Sequence, residues 1–197
     1  MNKLFIKETE RIYRLKVPFE DLYTSVFLIK TEKENILVDC ATTNSDVKEF
    51  IIPALKKENL TLKDINYLVL THNHGDHAGG KNAIVKENPN VKIIVEEAFF
   101  NGLEIYKMPG HLLECIGVLD LIDGTLISGD GLQGKGESRY PCFLESKEEY
   151  LRTIEKIKND VRIKNILFSH AYEPWIKYGV FSREEVEQIL QDCIKEI

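Results

Sequence analysis

All five histidines of this chain stand where an imidazole could ligate a metal. Three fall within six residues, His72-Asn73-His74-Gly75-Asp76-His77. The others are His111, after Pro109-Gly110, and His170, after Phe168-Ser169. Imidazole nitrogen is the commonest protein ligand for zinc and its neighbours. His72 and His74 can approach one ion from one loop, and Gly75 lets the backbone turn to present Asp76 and His77 as a second pair. Four donors so close, with more elsewhere in the chain, exceed what one tetrahedral ion takes. Two ions about 3.5–4 Å apart would use them all. Asp130 lies between Gly129 and Gly131, neighbours small enough to let its carboxylate approach closely and bridge two metals. Taken singly, each residue also has an ordinary reading: solvated loop histidines, hydrogen-bonded histidines that ligate nothing, a turn aspartate.

The elements that must position these residues alternate short β-rich runs with amphipathic helices. Val26 to Ile29 and Ile36 to Val38 read as strands around a polar turn at Thr31 to Asn35. A helical pattern runs from Asp46 to Glu58 with Asn44 or Ser45 as cap, interrupted by Pro53. Tyr67 to Leu70 is a short apolar run, as expected of a strand buried on both faces, and it leads into the histidine cluster. A helix follows from Lys81 to Glu87, closed by Pro89, then a strand from Val91 to Val95. Leu103 to Lys107 is extended chain leading to His111. Ile116 to Ile122 and Leu126 to Ser128 flank the hairpin signal Asp123-Gly124. Ser146 and Ser182 cap the two last helices, and Ile166 to Phe168 is a strand ending at His170. Every candidate ligand therefore follows a strand, where a loop can aim a side chain while the strand fixes its position.

The run from Thr71 to Gly80, with histidine at 72, 74 and 77 and aspartate at 76, resembles the signature of the metallo-β-lactamase-fold hydrolases. Pro109-Gly110-His111, Gly129-Asp130 and Ser169-His170 resemble that family's later ligand motifs, in order, and Leu37-Val38-Asp39 resembles its early strand. The resemblance spans roughly Tyr23 to His170. It implies a four-layer αββα sandwich of the α/β (α+β) class, with the whole of 1–197 as one domain. It implies two divalent metal ions, zinc first, with iron or manganese also suited. His72, His74 and His111 would hold the first, Asp76, His77 and His170 the second, and Asp130 would bridge them. Asp39 and Thr71 would orient ligands by hydrogen bonding. The implied chemistry is hydrolysis: metal binding brings a water pKa from 15.7 to about 7, on the order of 12 kcal/mol in favour of hydroxide. The target would be an ester, thioester, amide or phosphodiester of a small molecule, with Asp76 also guiding a proton to the leaving group.

Some features depart from the family. Leu112 to Cys115 stands where many relatives carry threonine and a small residue, and the span from His77 to His111 is short. No helical domain of the kind glyoxalase II uses for glutathione follows His170, and His74 and the lack of a flavodoxin-like domain set the chain apart from flavodiiron proteins. Asp130 and the absence of an export signal set it apart from true β-lactamases. Two rival readings stand beside hydrolysis: a single-iron oxidoreductase of the same fold, like the persulfide dioxygenases, and a non-catalytic metal-binding module.

Composition bounds the rest. A chain of 197 residues buries a sizeable core without disulfides. A net charge of −6 without a basic run argues against a nucleic-acid partner. No run is long and apolar enough for a membrane helix or a signal peptide, so the expected setting is cytoplasmic, with a small-molecule substrate as partner. Cys40, Cys115, Cys142 and Cys193 are scattered, as thiols of a reducing compartment are. Cys40 and Cys115 could approach the metals but read better as small buried hydrophobes. Tyr140 or Arg139, in the glycine-rich stretch 131–142, could touch substrate, and Tyr172 and Trp175 could wall a pocket.

Overall fold

The structure, a computed structural model, describes residues 3–20, 22–132, 143–171 and 178–195. Arg139, Tyr140, Cys142, Tyr172 and Trp175 lie outside them. The chain forms two compact units, Met1–Val95 and Glu96–Ile197.

The first unit is built on a six-stranded mixed sheet in sequential order. β1 (Ile6–Lys7), β2 (Ile12–Phe19), β3 (Leu22–Lys30) and β4 (Asn35–Val38) are antiparallel neighbours; β5 (Ile65–Val69) and β6 (Lys92–Ile94) continue the sheet in parallel with β4. The parallel steps need crossovers, and helices supply them. A helical run joins β4 to β5, and α3 (Gly75–Ala78) and α4 (Lys81–Glu87) join β5 to β6. Leu15, Val17, Val26, Leu28 and Leu68 share one core with the helical residues Val47, Ile51, Leu55 and Ile84. Phe27, Ile29, Ile36 and Val69, on the alternate face, are also fully buried.

The first helical run starts earlier than the expected pattern from Asp46, and it is interrupted ahead of Pro53. Its cap is Thr43, whose hydroxyl accepts from the Asp46 N–H at 3.1 Å. α1 (Asn44–Asp46) leads into a π-helical turn, Val47–Ile51, and then α2 (Ile52–Lys57). The Ile52 N–H reaches back five residues to the Val47 carbonyl. Pro53 is the reason: it has no N–H and would crowd the carbonyl four residues back in a regular helix. The wider turn places it at the start of a new helix, where a missing donor costs nothing. β1 and β2 were not expected from the sequence. Lys16 and Pro18 interrupt the strand pattern of β2, and the buried Arg14 pairs with Glu8, Nε to Oε1 at 2.8 Å.

The second unit carries another six-stranded sheet: β7 (Phe99–Phe100), β8 (Leu103–Lys107), β9 (Ile116–Asp120), β10 (Thr125–Ile127), β11 (Asn165–Leu167) and β12 (Gly179–Val180), again sequential. All neighbours are antiparallel except β10 and β11, joined by the crossover helix α5 (Lys147–Asn159). α5 is capped by Ser146, and α6 (Arg183–Lys195) has the Ser182 hydroxyl accepting from the Glu185 N–H at 3.2 Å. Tyr150, Ile154 and Ile157 of α5 and Val186, Ile189 and Cys193 of α6 pack with Leu119, Leu126 and Ile166 of the sheet. The β9–β10 connection is four residues long rather than a tight two-residue turn, because Asp120 pairs with Thr125. Gly124 takes φ 75°, and a Cβ there would lie 2.3 Å from the Arg162 carbonyl oxygen. Among the described residues, no helix is long and apolar enough to cross a membrane.

Candidate metal centre

In the first unit the ligand candidates follow the carboxyl ends of the parallel strands β4 and β5. Asp39, at the end of β4, is fully buried and takes φ 61°. That left-handed conformation is uncommon outside glycine, though aspartate tolerates it better than most. Its carboxylate gathers three donors. Oδ1 accepts from the Thr71 N–H at 2.8 Å, and Oδ2 accepts from the Thr71 hydroxyl at 2.9 Å and from His77 Nδ1 at 2.7 Å.

These bonds fix the histidine tautomers. The Thr71 hydroxyl gives its one hydrogen to Asp39, so its lone pairs face His72 Nδ1 at 3.2 Å and His77 Nδ1 at 3.3 Å. A neutral ring at either position then carries its proton on Nδ1 and leaves a lone pair on Nε2, the form that ligates a metal. The His72 ring lies 4.6 Å from that of His74 and 4.1 Å from that of His77, centroid to centroid. His72 and His74 offer donor atoms within 4.8 Å of each other, as do Asp76 and His77.

The backbone beneath this cluster is clamped. The N–H groups of Cys40 and Gly80 donate to the carbonyls of His77 and Ala41, at 2.7 and 3.2 Å. A Cβ on Gly79 would lie 1.8 Å from the Thr42 carbonyl oxygen, and one on Gly80 2.1 Å from that of Cys40. Only glycine lets the turn carrying Asp76 and His77 rest on segment 40–42. The Cys40 thiol donates to the His77 carbonyl at 3.2 Å. Burial, seconded by the charge of Asp39, pushes its pKa up to about 12, so it stays a neutral thiol. Cys115 is likewise buried, its sulfur accepting from the Leu112 N–H at 3.4 Å.

Thr24, not singled out from the sequence, also belongs here. It lies on β3, 1% exposed, and its hydroxyl donates to Asp76 Oδ2 at 3.2 Å. The only signal for it in the sequence is a hydroxyl two residues before an apolar strand run.

In the second unit, His111 is aimed by a loop held from α5 and the segment before it. The His111 carbonyl accepts from the N–H groups of Leu144 and Glu145, both at 3.1 Å, and Thr153 donates to the Pro109 carbonyl at 2.7 Å. Gly110 takes φ 142°, and a Cβ there would lie 2.5 Å from Tyr150 Cα, so the histidine is preceded by a residue no other type could replace. Asp130 sits in a 3-10 turn, Gly129–Gly131, at the end of β10. The Ser128 N–H donates to the Leu167 carbonyl at 3.0 Å, tying that turn to the end of β11 and so to His170. Asp130 Oδ1 lies 3.2 Å from His170 Nε2, and Oδ2 lies 3.6 Å from His111 Nε2.

The donor sets suit a divalent cation. His77 Nε2 and Asp76 Oδ2 are 3.3 Å apart. With the ring proton on Nδ1, both atoms present lone pairs, which repel unless positive charge stands between them. In the second unit two imidazole nitrogens flank the two oxygens of one carboxylate, the arrangement a shared ligand offers. Imidazole and carboxylate together fit zinc, iron or manganese.

Comparison with known proteins agrees with this chemistry. Residues 20–112 match the family model described as the metallo-beta-lactamase superfamily. A hydroxyacylglutathione hydrolase from Vibrio cholerae serotype O1 is 26% identical over 200 residues, covering 87% of this chain and 74% of the relative. A beta-lactamase-like protein 2 homolog from Caenorhabditis elegans is 28% identical over 207 residues, covering 89% and 68%. Among solved structures, the metallo-beta-lactamase FIM-1 from Pseudomonas aeruginosa, in its mono-zinc form, superposes with a TM-score of 0.74 at 18% identity, covering 97% of this chain and 94% of that one. A metallo-beta-lactamase from Hirschia baltica gives 0.68 at 18% identity, with 96% of both chains covered. The α/β fold expected from the motifs is thus borne out.

Proposed function

We propose that this chain is a metal-dependent hydrolase of the metallo-β-lactamase superfamily and that its two ligand clusters serve one working domain, 1–197. His72, His74 and His111 would hold one divalent cation, Asp76, His77 and His170 would hold the second, and Asp130 would be shared between them. Zinc is the first choice and iron or manganese the next. When bound, such a pair lowers the pKa of water towards about 7 and polarises the bond to be cleaved.

The chain's own residues do the rest. Asp39 and Thr71 keep the Nε2 lone pairs of His72 and His77 available by holding both rings at Nδ1. Asp76 takes the proton released from the attacking water and passes it to the leaving group. The substrate is a small-molecule ester-type compound in the cytoplasm, with neither nucleic acid nor membrane as partner. A thioester comes first, because the Vibrio relative is named for hydroxyacylglutathione and an acyl group on glutathione is a thioester.

The observation that carries this reading is the 3.3 Å approach of two lone-pair atoms, His77 Nε2 and Asp76 Oδ2, on a buried framework that fixes the tautomer. The test is elemental analysis of protein purified without added metal, followed by chelation and a panel of thioesters, esters, amides and phosphodiesters. The expected result is two divalent ions per chain, about one after His77→Asn or His111→Asn, and hydrolysis lost on chelation and restored by zinc. Full activity in verified metal-free protein rejects the mechanism. One iron per chain with oxygen consumption supports the oxidoreductase instead.

A further inference from the structure

Asp76 is the one proposed ligand whose side chain is also asked to move a proton, and an aspartate χ2 is a soft, broad torsion. Something must decide which of its oxygens faces the metal. We propose that Thr24 is a positioning residue for Asp76: its hydroxyl donates to Oδ2 and fixes the rotation of the carboxylate. This rests on Asp76 being a ligand, as proposed above.

Three observations carry the assignment. Thr24 lies on β3 on the same face as Val26 and Leu28, which belong to the helix-covered core. A hydroxyl 1% exposed on that face needs a partner, because burying it unpaired costs about 1–3 kcal/mol. Its partner is Asp76 Oδ2, at 3.2 Å, fifty-two residues away in sequence. Packing gives no reason for an oxygen here, since β-branched valine would fill the same space and favours strands equally well. The same Oδ2 lies 3.3 Å from His77 Nε2, so the hydroxyl holds the oxygen nearest the neighbouring ligand. The two adjacent ligands of α3 are thus braced from different strands, His77 by Asp39 after β4 and Asp76 by Thr24 within β3.

The arrangement gives Thr24 a defined chemical effect. A hydrogen bond into Oδ2 draws charge from that oxygen and stops the carboxylate from swinging to chelate through both oxygens. One oxygen stays oriented for coordination and the other for proton transfer. Loss of such a supporting bond costs about 10–100-fold in metal affinity or activity in comparable sites.

The experiment compares Thr24→Val, which keeps the shape and removes the hydroxyl, with Thr24→Ser, which keeps the hydroxyl. Each is made in the full chain and loaded with cobalt(II) as a spectroscopic probe. Thr24→Val is expected to change the cobalt visible absorption bands and weaken the second ion about tenfold or more, and to lower kcat by a similar factor with KM within about twofold. Thr24→Ser is expected to restore the wild-type spectrum and most of the rate. Wild-type cobalt bands and affinity in Thr24→Val would overturn the assignment, as would equal losses in the two variants. Should Thr24→Val fail to fold, Thr24→Ala takes its place under the same criteria. If wild-type protein itself binds no cobalt, the metal-site reading fails first, separately from Thr24.

Discussion

Asp39→Asn isolates the tautomer argument, because it changes one atom and one charge at a fully buried position. The asparagine Oδ1 can still accept the Thr71 N–H, now 2.8 Å from the carboxylate. Its amide NH2 takes the place of Oδ2, which receives the Thr71 hydroxyl and His77 Nδ1. The Thr71 hydroxyl can rotate and accept instead. His77 cannot follow without moving its proton to Nε2, which removes the lone pair aimed past Asp76. The lost charge-assisted bond is worth about 1.5–3 kcal/mol. In a domain of this size that lowers Tm by about 3–12 °C. Metal-free wild type and Asp39→Asn would be compared by calorimetry, metal content by elemental analysis, and the His77 tautomer by 15N NMR. The expected outcome is a folded, less stable protein that retains about one ion and carries the His77 proton on Nε2. Two retained ions with the proton still on Nδ1 would refute the reasoning.

Other consequences follow from the same geometry. Gly80→Ala would set a methyl group 2.1 Å from the Cys40 carbonyl oxygen, a backbone atom that cannot swing aside. It should cost at least about 3 kcal/mol in urea unfolding and release metal as the turn lifts. The Cys40 thiol is held protonated to about 12 by burial and then by the charge of Asp39. Its folded pKa exceeds the unfolded one, so its contribution is complete below about pH 9 and is lost as pH rises towards 12, up to about 4 kcal/mol. Urea midpoints at pH 8 and 10.5 should fall less in Cys40→Ala than in wild type; identical falls would reject the assignment. Thr43→Ala should cost about 1 kcal/mol of thermal stability, because the hydroxyl caps the first helical run, and should leave metal content unchanged.

Much of the strand framework is legible because burial leaves an apolar run or an alternation, as in Tyr67 to Leu70 and Ile166 to Phe168. β2 is hidden because its buried charge, Arg14, pairs with Glu8 six residues away, and its proline is tolerated within a strand. The π-helical turn is hidden for a related reason. The sequence shows that Pro53 must disturb the helix, but whether the chain kinks, ends or widens depends on what the flanking Val47, Ile51, Ala54 and Leu55 can bury.

The candidate chemistry divides in the same way. Residue type and order alone nominate His72, His74, Asp76, His77, His111, Asp130 and His170, because few side chains donate lone pairs to metals and these follow predicted strands. Spacing cannot say which nitrogen of a ring carries the proton, which oxygen of Asp76 is held, or why Gly79 and Gly80 admit no side chain. Those facts depend on Asp39, Thr24 and Thr42, all remote in sequence and brought near by strand pairing and crossover. A hydrogen bond acts over about 3 Å of space and takes no account of separation along the chain. Only the fold could decide it.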